Sequence, residues 1–341
     1  MGLFADRTFA IRALEQHTDL AEADIAQFIA RARPALTFRR HITPEDEVPL
    51  GASKIGGRPD MGADLPWPIR APYEGVVEAV ANWPEALRNI YSPEWIDAYI
   101  AYNSAPAPLG FIAQFDLDTL SSRSGFDPNL PRTGRLLLFT DPSGHHSADA
   151  MASAQWVQVI HDTTPRDQII RHTTPEALIE HWSTSVLMDQ NQYYGGPEAP
   201  WSETADCERL DAVDAISLPH DRAWQAPQST LDILRALRVA DPTGLEDATV
   251  SDYAAGISFH GDQLGGHPIP VQDSVPAEID RLTDGALGPV EGWRFLFHVQ
   301  GETYLPQLMT DWRDGDLYLM DQPPPAGTDS IGEVFGVAQS T

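Results

Sequence analysis

The sequence predicts an α+β fold: a single compact body of two pseudo-repeated, mostly antiparallel β-rich halves with peripheral helices. Three observations predict it. Short apolar runs bounded by glycine, proline and polar residues dominate the middle of the chain, as strands do. Helical patterning is confined to a few separated stretches. Three motifs also recur in the same order. Ile55-Gly56-Gly57-Arg58-Pro59 returns as Leu264-Gly265-Gly266-His267-Pro268, residues 111–116 (FIAQFD) as 295–300 (FLFHVQ), and 134–139 (GRLLLF) as 315–320 (GDLYLM). The offsets are 209, 184 and 181 residues, shrinking because the first copy carries a helical insertion. One such match would be noise, but three in order read as a duplication. Each half then buries one apolar sheet face against the other half or against helices.

Taken in order, the first 33 residues read as helical. Asp19 and Glu22 form a capping-box pair, Ile25, Phe28 and Ile29 share a face, and Pro34 closes the run. Residues 35–42 (ALTFRRHI) read as a strand. Residues 53–68 (SKIGGRPDMGADLPWP) hold too much glycine and proline for helix or central strand and read as an ordered loop. Residues 84–102 read as a helix broken before Pro93, with Leu87, Ile90, Ile96 and Tyr99 on its inner side. Residues 109–117, 134–141 and 154–161 read as strands, and 174–182, 227–237 and 245–257 as helices. The stretch 190–208 reads as a surface loop connecting the halves, and the chain after Asp321 as a loose tail. The predicted division is a helical segment 1–34, a body 35–321 with halves of about 35–185 and 209–321, and a tail 322–341.

Composition bounds the function. Hydrophobic residues at 42% and aromatics at 9% are ample for a packed core. Asp6, Arg7 and Arg12 stand where a signal peptide's apolar region would lie, and no apolar run reaches membrane-spanning length. Cys207 is the sole cysteine, which leaves no internal disulfide and no cysteine-based zinc cage, so a cytoplasmic protein is expected. The net charge is -28 and unevenly placed: residues 241–341 hold seventeen acids against three bases, residues 1–70 ten against nine. Such a field repels nucleic acid and steers a basic partner inward.

The candidate residues gather around the first repeat motif. Paired glycines let backbone approach another group closely, and the proline fixes the exit. No helix opening with Lys-Ser/Thr follows, so the loop is not a P-loop. Lys54 is the only lysine among 22 basic residues. With Arg58 it can hold an anionic group against the backbone of Gly56 and Gly57. Gln114 and Asp116 share one face of their strand, and His298 and Gln300 share a face of its counterpart. Related by a pseudo-twofold, these pairs would line a common groove; the alternative is hydrogen-bonded structural polars. His267 stands where the first copy has Arg58, and Trp67 between Pro66 and Pro68 is a core plug or a stacking surface. No catalytic residue, metal or cofactor is expected. His145 and His146 diverge in a turn, Asp311, Asp314 and Asp316 lack calcium-loop spacing, and neither H-E-x-x-H nor G-x-S-x-G occurs.

The ordered set SKIGGRPDMGADLPWP, LGFIAQFDL, LPRTGRLLLFTD, LGGHPIPVQ and WRDGDLYLMD, spanning roughly 50–321, resembles the YwqG-like family of bacterial proteins, a domain of unknown function. The resemblance implies one α+β body with a pseudo-repeat, no assigned activity, and relatives in toxin–immunity neighbourhoods. The chain departs from the pattern in its long insertion after Pro68 and in the FHVQ run of the second half. Two functions follow as expectations. The first is a soluble, non-enzymatic interaction protein, immunity-like, whose acidic surface takes a basic protein. The second is a binder of, or enzyme on, a small anionic ligand in a groove near the first Gly-Gly-x-Pro loop.

Overall fold

The computed structural model describes residues 3–17, 20–85, 89, 91–142, 155–183, 201, 206–219, 262–270, 274–288, 290–300, 315–325 and 328–340. Its strands are β1 (Leu3–Phe4), β2 (Arg33–Pro44), β3 (Lys54–Ile55), β4 (Asp60–Gly62), β5 (Ile69–Arg70), β6 (Ala107–Pro108), β7 (Gly110–Asp116), β8 (Arg135–Thr140), β9 (Val157–Asp162), β10 (Ile169–Arg171), β11 (Asp206–Ser217), β12 (Gln263–Leu264), β13 (Arg294–Gln300), β14 (Gly315–Asp321) and β15 (Val334–Ser340). The two longest strands, β2 and β11, pair antiparallel along their whole length, from Arg33↔Ser217 to Pro44↔Asp206. From this central ribbon one arm runs β3-β7-β8-β9 and the other β12-β13-β14-β15, with β1 added to β11. Every ladder is antiparallel.

The sheet curls into a nearly closed barrel. A β-carbon placed at Gly336 of β15 would stand 2.9 Å from Val157 Cγ2 at the start of β9, so the two outermost strands meet side by side. Strand alternation turns Leu36 and Phe38 of β2, Ala113 and Phe115 of β7, and Phe297 and Val299 of β13 inward. The Phe115 ring lies 5.4 Å from Phe38 and 4.8 Å from Phe297, which joins the two arms through the core. Outside the barrel, helices Arg7–His17 and Glu22–Ala30 bury Leu14, Ile25 and Phe28 against Phe4. Helix Val275–Leu282 lays Val275 and Ile279 with Phe335 and Val337. The insertion between β5 and β6 has its own aromatic core, in which Trp95 stacks between Tyr91 (4.0 Å) and Tyr99 (5.2 Å). Among the described residues no helix is long and apolar enough to cross a membrane.

Several expectations need correction. Pro34 does not close a helix. The helix ends at Ala30 with Arg31 as C-cap, and Pro34 sits at the start of β2, where a missing donor costs least. The residue before Glu22 is Ala21, which makes no side-chain cap; Asp19 lies outside the described residues. Of the helix expected over 84–102 and broken before Pro93, the part after the break is Pro93–Asn103, with Pro93 in its first turn and Ser92 Oγ accepting the Trp95 N–H at 3.2 Å. A short helix, Val76–Ala81, precedes it; Leu87 and Ile90 lie outside the described residues. The loop 53–68 contains β3 and β4, and β11 begins inside the expected connector. The helices expected at 227–237 and 245–257, and residues 190–200 of the connector, lie outside the described residues. The tail is no loose end: β15 pairs with β14 from Gly315↔Ser340 to Asp321↔Val334. The run Pro323-Pro324-Pro325 hides this strand, because its punctuation outweighs the short alternation that follows.

Phe335 is fully buried on β15. Phe335→Ala should therefore cost about 3–5 kcal/mol in urea unfolding, as a core truncation does. A loose tail would make the same change neutral.

Candidate functional site

The first Gly-Gly-x-Pro loop leaves β3 with Gly56 and Gly57 both in the left-handed region, at φ 76° and 68°. Gly57 has a second reason to be glycine: a β-carbon there would stand 2.3 Å from Glu45 Oε1. That closeness brings the Glu45 carboxylate under the loop. Its Oε1 accepts a short hydrogen bond from the Arg58 N–H and lies 3.0 Å from Lys54 Nζ; its Oε2 accepts Arg58 Nε at 2.8 Å. Lys54 is fully buried, with Asp60 Oδ2 at 3.7 Å on its other side. Asp60 accepts from Arg171 Nε (2.8 Å), Gly51 N (2.9 Å) and Gln114 Nε2 (3.0 Å), while Gln114 Oε1 accepts the Asp60 N–H at 2.9 Å. Arg171 reaches from β10 and also donates to the carbonyls of Glu45 and Val48. Three cations thus surround two carboxylates inside the covering layer of the first arm.

Burial pushes the Glu45 carboxyl up, but the charge of Lys54 and the hydrogen bonds from Arg58 outweigh it and hold the group below the ordinary carboxylate range. For Asp60 burial again acts upward, and the Arg171 hydrogen bond with the Lys54 charge wins. Cys207 packs beside Gly57, and burial pushes its thiol up to about 11, so it stays protonated at neutral pH.

The second loop repeats the backbone without the lysine, and Asp127 Oδ2 accepts the Gly266 N–H at 2.8 Å. Gly265 and Gly266 have φ of 71° and 80°, and a β-carbon at Gly266 would stand 2.3 Å from Ser217 Oγ. The same hydroxyl accepts the His267 N–H at 2.7 Å, and the His267 ring bonds the Arg31 carbonyl. Where the first arm has Lys54 the second has Gln263, which donates to the carbonyls of Gly265 and His267, both at 2.7 Å. His298 stacks on Tyr318 at 4.6 Å with Nε2 3.2 Å from Asp316 Oδ1. Gln300 works through its backbone: its N–H donates to Asp262 and its carbonyl accepts from Arg40.

The structure brings Lys54, Gly57, Arg58 and Gln114 together, but not with the residues of the second half. Lys54 and Gln114 are register partners and point outward from the barrel. Asp116 points the same way and pairs with Arg166. Phe115 points inward and meets Phe297, so that contact fills the space between the arms where a shared groove was expected. Trp67 is a plug: its Nε1 donates to the Leu109 carbonyl at 2.7 Å and its ring meets Phe139 edge-on.

Several members escaped sequence reading. Glu45 stands in a Glu-Asp-Glu run that looks solvated, and no local signal links Asp60 to Arg171 across 111 residues. A second cluster was missed entirely. Arg70 pairs with Asp141 and lies over the rings of Tyr73 (4.4 Å) and Tyr102 (4.7 Å), whose hydroxyls donate to the same carboxylate. Burial and the Asp141 charge push the Tyr73 hydroxyl well up, keeping it a donor. Beside it, burial and then the Arg70 charge hold His181 below its ordinary value. Arg70 also donates to the carbonyls of Tyr102 and Ala105, so this cluster bolts the insertion to the end of β8. Among the described residues no group of three His, Cys, Asp or Glu could hold a metal ion.

Because Glu45 and Asp60 ionise more readily folded than unfolded, their contribution is full above the ordinary carboxylate range and is lost as pH falls through the lowered folded values. Lys54→Met should cost about 3–5 kcal/mol at neutral pH, because it strands buried carboxylates. It should also move acid unfolding to higher pH. Urea melts across pH 3–7, at roughly unit steps, check both; an unchanged acid limb would show that Lys54 does not set it.

No curated protein matches the chain. A family model described as Domain of unknown function (DUF1963) matches residues 53–320, from the residue before Lys54 to Met320 in β14. The match takes in both glycine loops and all but the outermost strand of the second arm, and the chain belongs to the DUF1963 family.

Proposed function

We propose that the protein is a non-enzymatic, cytoplasmic interaction protein of the YwqG-like type, immunity-like in role, whose acidic surface takes a basic protein partner. The observation that carries this reading is how the cations are distributed. Arg40, Lys54, Arg70, Arg135 and Arg294 are buried or nearly so, and each faces a buried carboxylate. These pairs neutralise one another, and most of the 50 acids behind the net charge of -28 lie outside them. In the C-terminal half Asp262, Asp316 and Asp321 are internal, which moves the surface excess elsewhere. The insertion supplies part of it: Glu74, Glu78, Glu85, Glu94 and Asp97 are all exposed, with Val77 62% exposed among them. A surface of one sign with an apolar residue inside it suits a basic partner by steering and by contact.

The same reading takes the two arms as copies of one ancestral unit. Supporting this, Lys54↔Gln114 and Gln263↔His298 are matching registers, and the bulges at Phe111/Ala113 and Phe295/Phe297 coincide under the sequence offset. Gly56 N–H bonds the Ile112 carbonyl at 2.7 Å, and Gly265 N–H bonds that of Leu296 at 2.8 Å.

The test is capture from the native host on immobilised protein at low salt, with wild type beside the charge-reversed variant Glu74→Lys/Glu78→Lys/Glu94→Lys. The expected result is a basic protein that elutes at roughly 1 M salt, where screening acts within about 3 Å, and that the variant fails to hold. Retention of no basic protein, or equal retention by the variant, would sink the reading.

A further inference from the structure

We propose that the exposed middle of the β2–β11 ribbon is an oxyanion site, formed by Arg39, His41 and Arg209 and suited to a phosphate monoester. This goes beyond the acidic-surface reading and uses none of its residues. The two glycine loops sit over the ends of the ribbon's outer face: β-carbons at Gly57 and Gly266 would stand 3.3 Å from Cys207 Cβ and 3.0 Å from Ala35 Cβ. Alternation puts Ala35, Thr37, Arg39 and His41 on that face of β2, with Cys207, Arg209, Asp211 and Val213 on that face of β11. Between the loops, Arg39 is exposed and the His41 and Arg209 side chains are 41% and 42% exposed.

Two guanidinium groups and an imidazole therefore share a small patch of a protein whose net charge is -28. The register sets His41 directly opposite Arg209, with the buried Lys54 next in the row. Arg39 stands on the diagonal from Arg209, which places two guanidinium groups within reach of one anion. The patch holds one carboxylate of its own. Asp211 Oδ2 lies 3.1 Å from His41 Nε2 and 3.3 Å from Arg209 Nη2, and it fixes both side chains while balancing only one charge. Among the described residues Arg39 has no ion pair. Arg209 Nε is buried without a hydrogen-bond partner, so what Arg209 offers a ligand comes from the rest of its side chain, which is 42% exposed. Guanidinium forks match the oxygens of a phosphate two at a time, and a phosphate monoester carries the double charge that Arg39 and Arg209 would answer. The acidic remainder of the surface does not forbid it. At physiological ionic strength charges beyond about 8 Å are largely screened, whereas the two guanidinium groups act at contact.

The phosphate could belong to a free small molecule or to a phosphorylated side chain of another protein, and titration calorimetry at about 0.15 M salt separates the two. The probes are inorganic phosphate, phenyl phosphate, a phosphoserine peptide and its unphosphorylated form. Saturable binding of the phosphorylated probes and not of the plain peptide is expected. Binding of phenyl phosphate as tight as that of the phosphopeptide assigns a free ligand; binding of the phosphopeptide alone assigns a modified protein. Arg39→Gln, on an exposed side chain, should weaken binding about tenfold, as loss of one charge-assisted hydrogen bond does. Arg39→Gln/Arg209→Gln should abolish it, with folding checked by a circular-dichroism melt. Arg123→Gln, which removes an exposed cation paired with Asp214 outside the patch, should change nothing. The proposal is overturned if no phosphorylated probe binds wild type, if Arg39→Gln binds as wild type, or if Arg123→Gln weakens binding equally.

Discussion

The first arm depends on a charge that cannot be left alone. A fully buried ammonium is tolerable only where carboxylates meet it at close range, and Lys54 meets Glu45 and Asp60. Glu45 can reach it only because Gly57 has no side chain, and Asp60 is held only because Arg171 and Gln114 complete its hydrogen bonds. One electrostatic requirement thus ties together β3, the loop after it, the turn at Glu45, β7 and β10, elements scattered over more than a hundred residues.

The same device recurs around the barrel. Arg70 with Asp141 fastens the insertion, Arg135 with Asp162 joins β8 to β9, and Arg294 with Asp321 joins β13 to β14. Arg40 lies on the inward face of the ribbon and ties Asp262 and Glu208 at one end of the barrel. Such pairs add less stability than their number implies, since desolvation offsets much of the attraction. Their effect is specificity: a covering segment set down in the wrong register would leave a buried charge without its partner. The outer face of the central ribbon carries the exposed Arg39 beside the half-exposed Arg209.

Much of the architecture was legible. Apolar runs of strand length gave β7 and β8, and the recurring motifs gave the order of the two arms' elements, because strand alternation and tight glycine turns are local demands written into local sequence. β15 was missed because a proline run before it reads as chain end, although Phe335 and Val337 carry a buried face. At the site, Lys54 stood out as the only lysine and Gln114 as a polar residue in an apolar strand, and the two are register partners. Glu45, Asp60 and Arg171 did not stand out. An acid or an arginine in a turn looks the same whether it faces water or a buried partner.

By itself, then, the sequence determined the strand-rich class, the left-handed glycine turns, the absence of common catalytic signatures and the acidic balance. Each of these depends on neighbours within a few residues or on composition. Only the tertiary structure decided that Lys54 is buried against carboxylates, that Phe115 and Phe297 fill the space between the arms, and that Arg39, His41 and Arg209 share an open face. The physical reason is that burial and charge pairing belong to pairs of residues. The partners of the buried cations are 9 to 222 positions apart, as in Lys54 with Glu45 and Arg40 with Asp262, and no local pattern records which acid a cation will meet.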